Sequence, residues 1–103
     1  MSTTGSSIFG ARLKEARLRA GLSQKQLGID SGLDEFVAST RINRYELGIH
    51  KVDYPFACKL AASLSVPVAY FYADEDELAE LILLFGNSSR KTRTRLLQMA
   101  RGE

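Results

Sequence analysis

The stretch that decides the fold is Leu22-Ser23-Gln24-Lys25-Gln26-Leu27-Gly28-Ile29-Asp30-Ser31-Gly32-Leu33. Ser23 and Gln26 stand at capping-box spacing, and Leu22 and Leu27 occupy the two positions of a hydrophobic staple, so a helix begins at Gln24. That helix is short, because Asp30, Ser31 and Gly32 are poor helix interior and good C-terminal punctuation. A further helix is expected through Ser39 to Leu47, with Ile42 and Tyr45 facing inward and Gly48 closing it. A small residue, Gly28, falls where the two helices would cross. Helices joined by a glycine-containing turn place the second across the first, which leaves one flank of the second turned outward.

Outward from this centre the pattern stays helical, with nothing that reads as a strand. On the N-terminal side Phe9, Leu13, Ala16 and Ala20 form an amphipathic stripe, giving a helix from about Ile8 to Ala20 that stops at Gly21. Residues 1–7 are small and polar, lack the features of a signal peptide, and are expected to be a disordered leader. On the C-terminal side Asp53 caps a helix whose Phe56, Leu60 and Leu64 make its buried edge, with Pro55 tolerated in the first turn. Val66-Pro67 breaks it, and Pro67 starts a short helix through about Tyr72. Asp74 to Phe85 reads as a sixth helix with carboxylates at its positive end. Ser88 or Ser89 begins a last helix whose apolar surface is Leu96, Leu97, Met99 and Ala100.

Composition narrows the function classes. The chain has 103 residues, 45% of them apolar and 25% charged, with one cysteine and a formal charge of +2, values that allow one core of modest size without cross-links. Cys58 has no partner for a disulfide and no neighbours at metal spacing, which fits a reducing, cytoplasmic setting. No apolar run approaches the roughly 20 residues that a bilayer span requires. The charge is segmental: +3 over residues 1–59, −5 over 60–86 and +4 over 87–103. A mildly basic first part suits a polyanion, and the acidic and basic helices behind it suit each other or a partner chain.

Residues 11–72 resemble the lambda-repressor-like, or XRE/Cro-type, helix-turn-helix DNA-binding domain. The matching segments are Arg12-Leu13-Lys14-Glu15-Ala16-Arg17, Gly21-Leu22-Ser23-Gln24-Lys25-Gln26-Leu27, Ile42-Asn43-Arg44-Tyr45-Glu46-Leu47-Gly48 and Leu60-Ala61-Ala62-Ser63-Leu64-Ser65-Val66. The fit requires four extra residues, approximately Glu35 to Ala38, in the turn. These either extend the recognition helix backwards by about one turn of 3.6 residues or form a longer loop with Phe36 packed over the core and Ser39 as helix cap; the loop is preferred here. The resemblance implies an all-α fold, a five-helix DNA-binding domain over residues 8–73 followed by a C-terminal helical hairpin over 74–103. It places Gln24 at a phosphate clamp, Ser39, Thr40, Arg41 and Arg44 at base-reading positions, Asn43 as an added contact to adenine or phosphate, and Lys51 and Lys25 against the DNA backbone. Two arginines suit guanine in the half-site, since a guanidinium donates to both O6 and N7. The resemblance also pairs Arg17 with Glu46 as a structural ion pair.

Leu78, Leu81, Ile82, Leu83, Leu84 and Phe85 nearly surround their helix with apolar surface, so dimerisation is expected there, with Leu78, Leu81, Ile82, Leu84 and Phe85 as its residues. Catalysis finds no support: one His, no paired nucleophile and base, no glycine-rich phosphate loop, no metal set and no implied cofactor. The expected activity is that of a cytoplasmic transcriptional regulator, a repressor that binds a palindromic operator in double-stranded DNA as a homodimer. The alternative is an antitoxin or adaptor whose C-terminal helices hold a second protein.

Overall fold

The computed structural model describes residues 5–103. Its elements are α1 (Gly5–Arg19), α2 (Gln24–Asp30), α3 (Ala38–Glu46), α4 (Tyr54–Leu64), a 3-10 segment (Val68–Tyr72), α5 (Asp76–Gly86) and α6 (Arg90–Arg101). Among the described residues all regular structure is helical. Residues 1–4 of the expected leader lie outside the described residues, and α1 takes in Gly5, three residues before the expected start at Ile8. The short helix after Pro67 is 3-10 in geometry.

Local chemistry sets the boundaries. Ser23 Oγ accepts from Gln26 N–H at 3.0 Å, Asp53 Oδ1 from Phe56 N–H at 2.9 Å and Ser89 Oγ from Thr92 N–H at 3.2 Å, each satisfying a helix-end donor. Only half of the capping box at Ser23 forms, because the Gln26 side chain turns forward and donates to Asp30 at 2.7 Å. At their C-termini α1, α2, α3 and α6 run into glycines with φ of 73°, 101°, 75° and 80°. In α4 the same closure falls on Ser65 at φ 56°, where Val66 N–H donates to Ala61 C=O at 3.0 Å and Ser65 N–H to Ala62 C=O at 3.2 Å. A left-handed serine carries a steric penalty that glycine avoids.

The core gathers Leu13, Leu27, Ile42, Leu60, Tyr70 and Phe71, all essentially inaccessible to water. α2 packs on α3, and α1 packs on α3 along one side and on the 3-10 segment along the other; that segment in turn carries α5. Two close approaches fix how α3 is seated. A Cβ at Gly28 would lie 2.6 Å from that of Ala38, and one at Gly10 would lie 2.2 Å from the Glu46 carbonyl oxygen. Both are below any real contact distance, so α2 meets α3 and α1 meets α3 only because side chains are missing there.

A polar cluster joins the first half of the chain to the tail. Arg12 is buried, and its guanidinium donates to the Ala73 carbonyl at 2.9 Å, to Asp76 at 3.0 Å and to Glu15 at 3.2 Å. Burial draws its pKa down, but the bonds to Asp76 and Glu15 outweigh this and the net shift is upward. Tyr70 donates its hydroxyl to Glu15 at 2.9 Å and accepts from Arg19 at 3.3 Å. Burial is the main reason its phenol is shifted up; the Arg19 bond opposes the shift and Glu15 adds to it.

The tail lengthens the molecule. Its extents are 52 × 33 × 23 Å and its radius of gyration is 14.9 Å, against about 13 Å for a compact chain of this size. α6 buries none of its residues. It is tied to α5 by Arg93, which donates to the carbonyls of Phe85 at 2.9 Å and Gly86 at 2.8 Å and lies over the Phe85 ring.

Replacing Ser65 by glycine removes the left-handed strain and is expected to raise stability by about 1 kcal/mol. An upward shift of the urea midpoint at unchanged slope is the measurement that checks it.

Candidate nucleic-acid interface

α3 divides cleanly by face. Ala38, Ile42 and Tyr45 are buried, whereas Ser39, Thr40, Arg41, Asn43 and Arg44 are exposed. The spacing produces this directly: positions 38, 42 and 45 lie within one helical stripe, 40 and 44 point the other way, and 41 lies at the edge beside Tyr45. Among the described residues the Arg44 side chain makes no hydrogen bond or ion pair, and that of Arg41 makes only a long hydrogen bond to the Tyr45 hydroxyl at 3.5 Å. Lys25 on α2 and Lys51 in the loop after α3 are also exposed. These exposed cationic side chains are thus available to an outside anion.

The turn before α3 is a loop. Asp34 Oδ1 accepts from Phe36 N–H at 2.8 Å and the Asp34 carbonyl from Val37 N–H at 3.1 Å, which closes a compact turn ahead of Ala38. Two details differ from the expected loop. Phe36 is 88% exposed instead of packed on the core. The place against α2 is taken by Ala38, because the approach to Gly28 admits only a small side chain. The cap accordingly falls two residues early, on Val37, which lacks a side-chain bond, and Ser39 lies inside the first turn.

Behind the exposed flank of α3 sits an ion pair. Arg17 Nε donates to Glu46 Oε2 at 2.6 Å and its terminal nitrogens donate to Glu46 Oε1 at 3.1 Å and to the Leu22 carbonyl at 3.0 Å. The two side chains are 10% and 3% exposed. One guanidinium therefore ties the end of α1, the entry to α2 and the end of α3 together in a fork that only arginine provides. Gln24 extends this knot outward: its Nε2 donates to Glu46 Oε1 and to Asn43 Oδ1, both at 3.1 Å.

Sequence reasoning passed over Gly10, the Arg12 cluster and the hydroxyl bond between Ser31 and Ser63 at 3.0 Å. Two of these carried a signal. Glycine inside a helical stripe marks a close approach, and Arg12 stands three residues after Phe9, on the apolar face of its helix. Among the described residues no group of three or more His, Cys, Asp or Glu is placed to hold a metal ion, and no helix is long and apolar enough to cross a membrane.

This arrangement of two short helices, with the second crossing the first and presenting an open polar flank, defines a helix-turn-helix protein. A helix-turn-helix domain model matches residues 8–81, and the chain belongs to that family. Among solved structures, the crystal structure of transcriptional regulator BswR is similar with a TM-score of 0.86, at 47% identity over 91% of this chain and 93% of that one. No curated protein matches the chain.

Arg17→Ala strands Glu46 without its counter-charge and is expected to cost roughly 3–5 kcal/mol. Replacing both partners by apolar residues, Arg17→Met with Glu46→Leu, is expected to cost less than Arg17→Ala. Chemical denaturation of the two variants checks the order.

Proposed function

We propose that the chain is a sequence-specific DNA-binding transcriptional regulator, a repressor that binds a palindromic operator as a homodimer and occludes a promoter. The observation that carries this reading is the flank of α3 formed by Thr40, Arg41 and Arg44, exposed on a helix whose opposite face is buried. In a helix-turn-helix the second helix enters the major groove with its N-terminal part toward the base edges. Arg41 and Arg44 are then the guanine readers, Ser39 and Thr40 lie at the groove-facing first turn, and Lys25 and Lys51 flank the backbone. The similarity to a transcriptional regulator over nearly the whole chain supports the same reading.

The dimer rests on α5. Leu78, Leu81 and Leu84 are 42%, 51% and 56% exposed, while Ile82 is half-buried against the core and Phe85 half-buried beneath Arg93. Three leucines on one short helix are more apolar surface than an exposed helix carries without a reason. A two-fold dimer spaces its half-sites by one turn of DNA, roughly 34 Å, or a multiple of it.

A second reading, an antitoxin or adaptor that holds another protein, is favoured by α6, where Leu97 and Met99 are 43% and 75% exposed. Co-purification of one defined polypeptide at fixed stoichiometry, abolished by changes on α6, would support it.

Selection of duplexes from a random pool is expected to return a guanine-containing inverted repeat whose binding weakens steeply with salt. Arg41→Ala or Arg44→Ala is expected to lose about 1–3 kcal/mol of discrimination at one base pair without loss of thermal stability. Recovery of no sequence preference would defeat the proposal. Sedimentation at micromolar concentration is expected to give twice the chain mass, and Leu81→Asp the single mass.

A further inference from the structure

Among the described residues Phe36 is the most exposed large apolar side chain, at 88%. It joins neither the core nor the residues packed against it, and it enters no aromatic pair and no cation–π contact. The packing of the fold does not use the ring, and its apolar surface is left to water, from which burial against another apolar group is favourable. The backbone beneath it is held. Phe36 N–H donates to Asp34 Oδ1 at 2.8 Å, and Val37 donates its N–H to the Asp34 carbonyl at 3.1 Å and accepts from Arg41 N–H at 2.9 Å. The ring has a fixed root and a free end.

That root stands two residues before Ala38, the first residue of α3, so its Cα lies within about 7.6 Å of the start of the helix. In a helix-turn-helix seated on DNA, the N-terminal part of the second helix is the part that meets the base edges. Phe36 is therefore carried to the groove together with Ser39 and Thr40, both exposed. Asp34 and Glu35 in the same turn are carboxylates, which phosphates repel, so the turn is not built to clamp the backbone. What it presents is apolar: Phe36, with Val37 beside it at 41% exposure. In the major groove the apolar group that answers such a side chain is the 5-methyl of thymine.

We propose that Phe36 is a specificity-determining residue whose ring closes on the 5-methyl group of a thymine in the half-site, on the side of the guanines toward the N-terminus of α3. The proposal rests on the reading of α3 as the surface that meets DNA and adds an apolar determinant to the polar ones supplied by Arg41 and Arg44.

The test uses the duplex returned by selection, with its thymines replaced one at a time by uracil, which lacks only the methyl group. At one position of the half-site this is expected to cost the wild-type chain about fourfold in affinity, the factor that one buried methyl-sized group supplies. Phe36→Ala is expected to bind the unmodified duplex about tenfold more weakly and to be indifferent, within twofold, to the same uracil. Absence of any uracil-sensitive position, a uracil cost that persists in Phe36→Ala, or full affinity of that variant for the unmodified duplex overturns the proposal. Burying a methyl group releases no counterions, so the slope of log affinity against log salt is expected to be equal for the two chains; a shallower slope in the variant traces the loss to phosphate contacts and overturns it. The thermal unfolding midpoint is expected to be the same in both, as for an exposed side chain; a clearly lower midpoint in Phe36→Ala returns the ring to the fold and overturns it too. Unchanged DNA affinity with loss of the doubled mass assigns the ring to a contact between copies instead. Failure of the wild-type chain to retain any duplex removes the DNA reading and the proposal with it, whereas retention that ignores the ring defeats the proposal alone.

Discussion

One guanidinium holds the helix-turn-helix end of this molecule together. Arg17 meets Glu46 and the Leu22 carbonyl through three bonds, and those acceptors belong to different parts of the chain. A surface pair of this kind contributes little, because water and salt compete with it. With side chains 10% and 3% exposed, competition is largely removed, and neither partner tolerates loss of the other. Such a pair is weak evidence for extra stability, but it sets geometry: a planar fork against a carboxylate admits few relative positions of α1 and α3. The aim of the exposed flank of α3 follows from that restriction.

α1 serves two parts of the protein from opposite sides. Its Gly10 and Arg17 face α3, while Arg12, Glu15 and Arg19 engage the 3-10 segment and the start of α5. Each polar group buried along it has a partner, and among the described residues none is left unsatisfied. The tail contributes little to this core. Ala79 is the one residue of α5 that is fully buried, and α6 has none.

Much of the fold was legible because it is written in local chemistry. The caps at Ser23 and Asp53, the breaks at Gly32 and Val66-Pro67, and the inward stripe of Ile42 and Tyr45 each act over a few residues, and short-range rules reach that far. What escaped depends on contacts across the chain. Gly10 is explained by a carbonyl 36 positions away, and Arg12 by a carbonyl 61 positions away. Phe36 is the reverse case: hydrophobicity argued for burial, yet the small gap at Gly28 is filled by Ala38, and the turn pinned by Asp34 leaves the ring outside. At the candidate interface the spacing identified which side chains of α3 face outward. It did not reveal that Gln24 and Asn43 are bonded to one another, since that depends on the crossing of two helices.

The turn between α2 and α3 is closed by its own Asp34, while the angle of α3 is set elsewhere, by the contact of Gly28 with Ala38 and by Arg17 beneath Glu46. Length and orientation are consequently decoupled at this joint. Residues 35–37 cover the joint without setting the aim of the rod behind it. A scaffold with that property accepts variation in a surface connection while keeping its alignment, since only the turn's own short-range bonds depend on those residues.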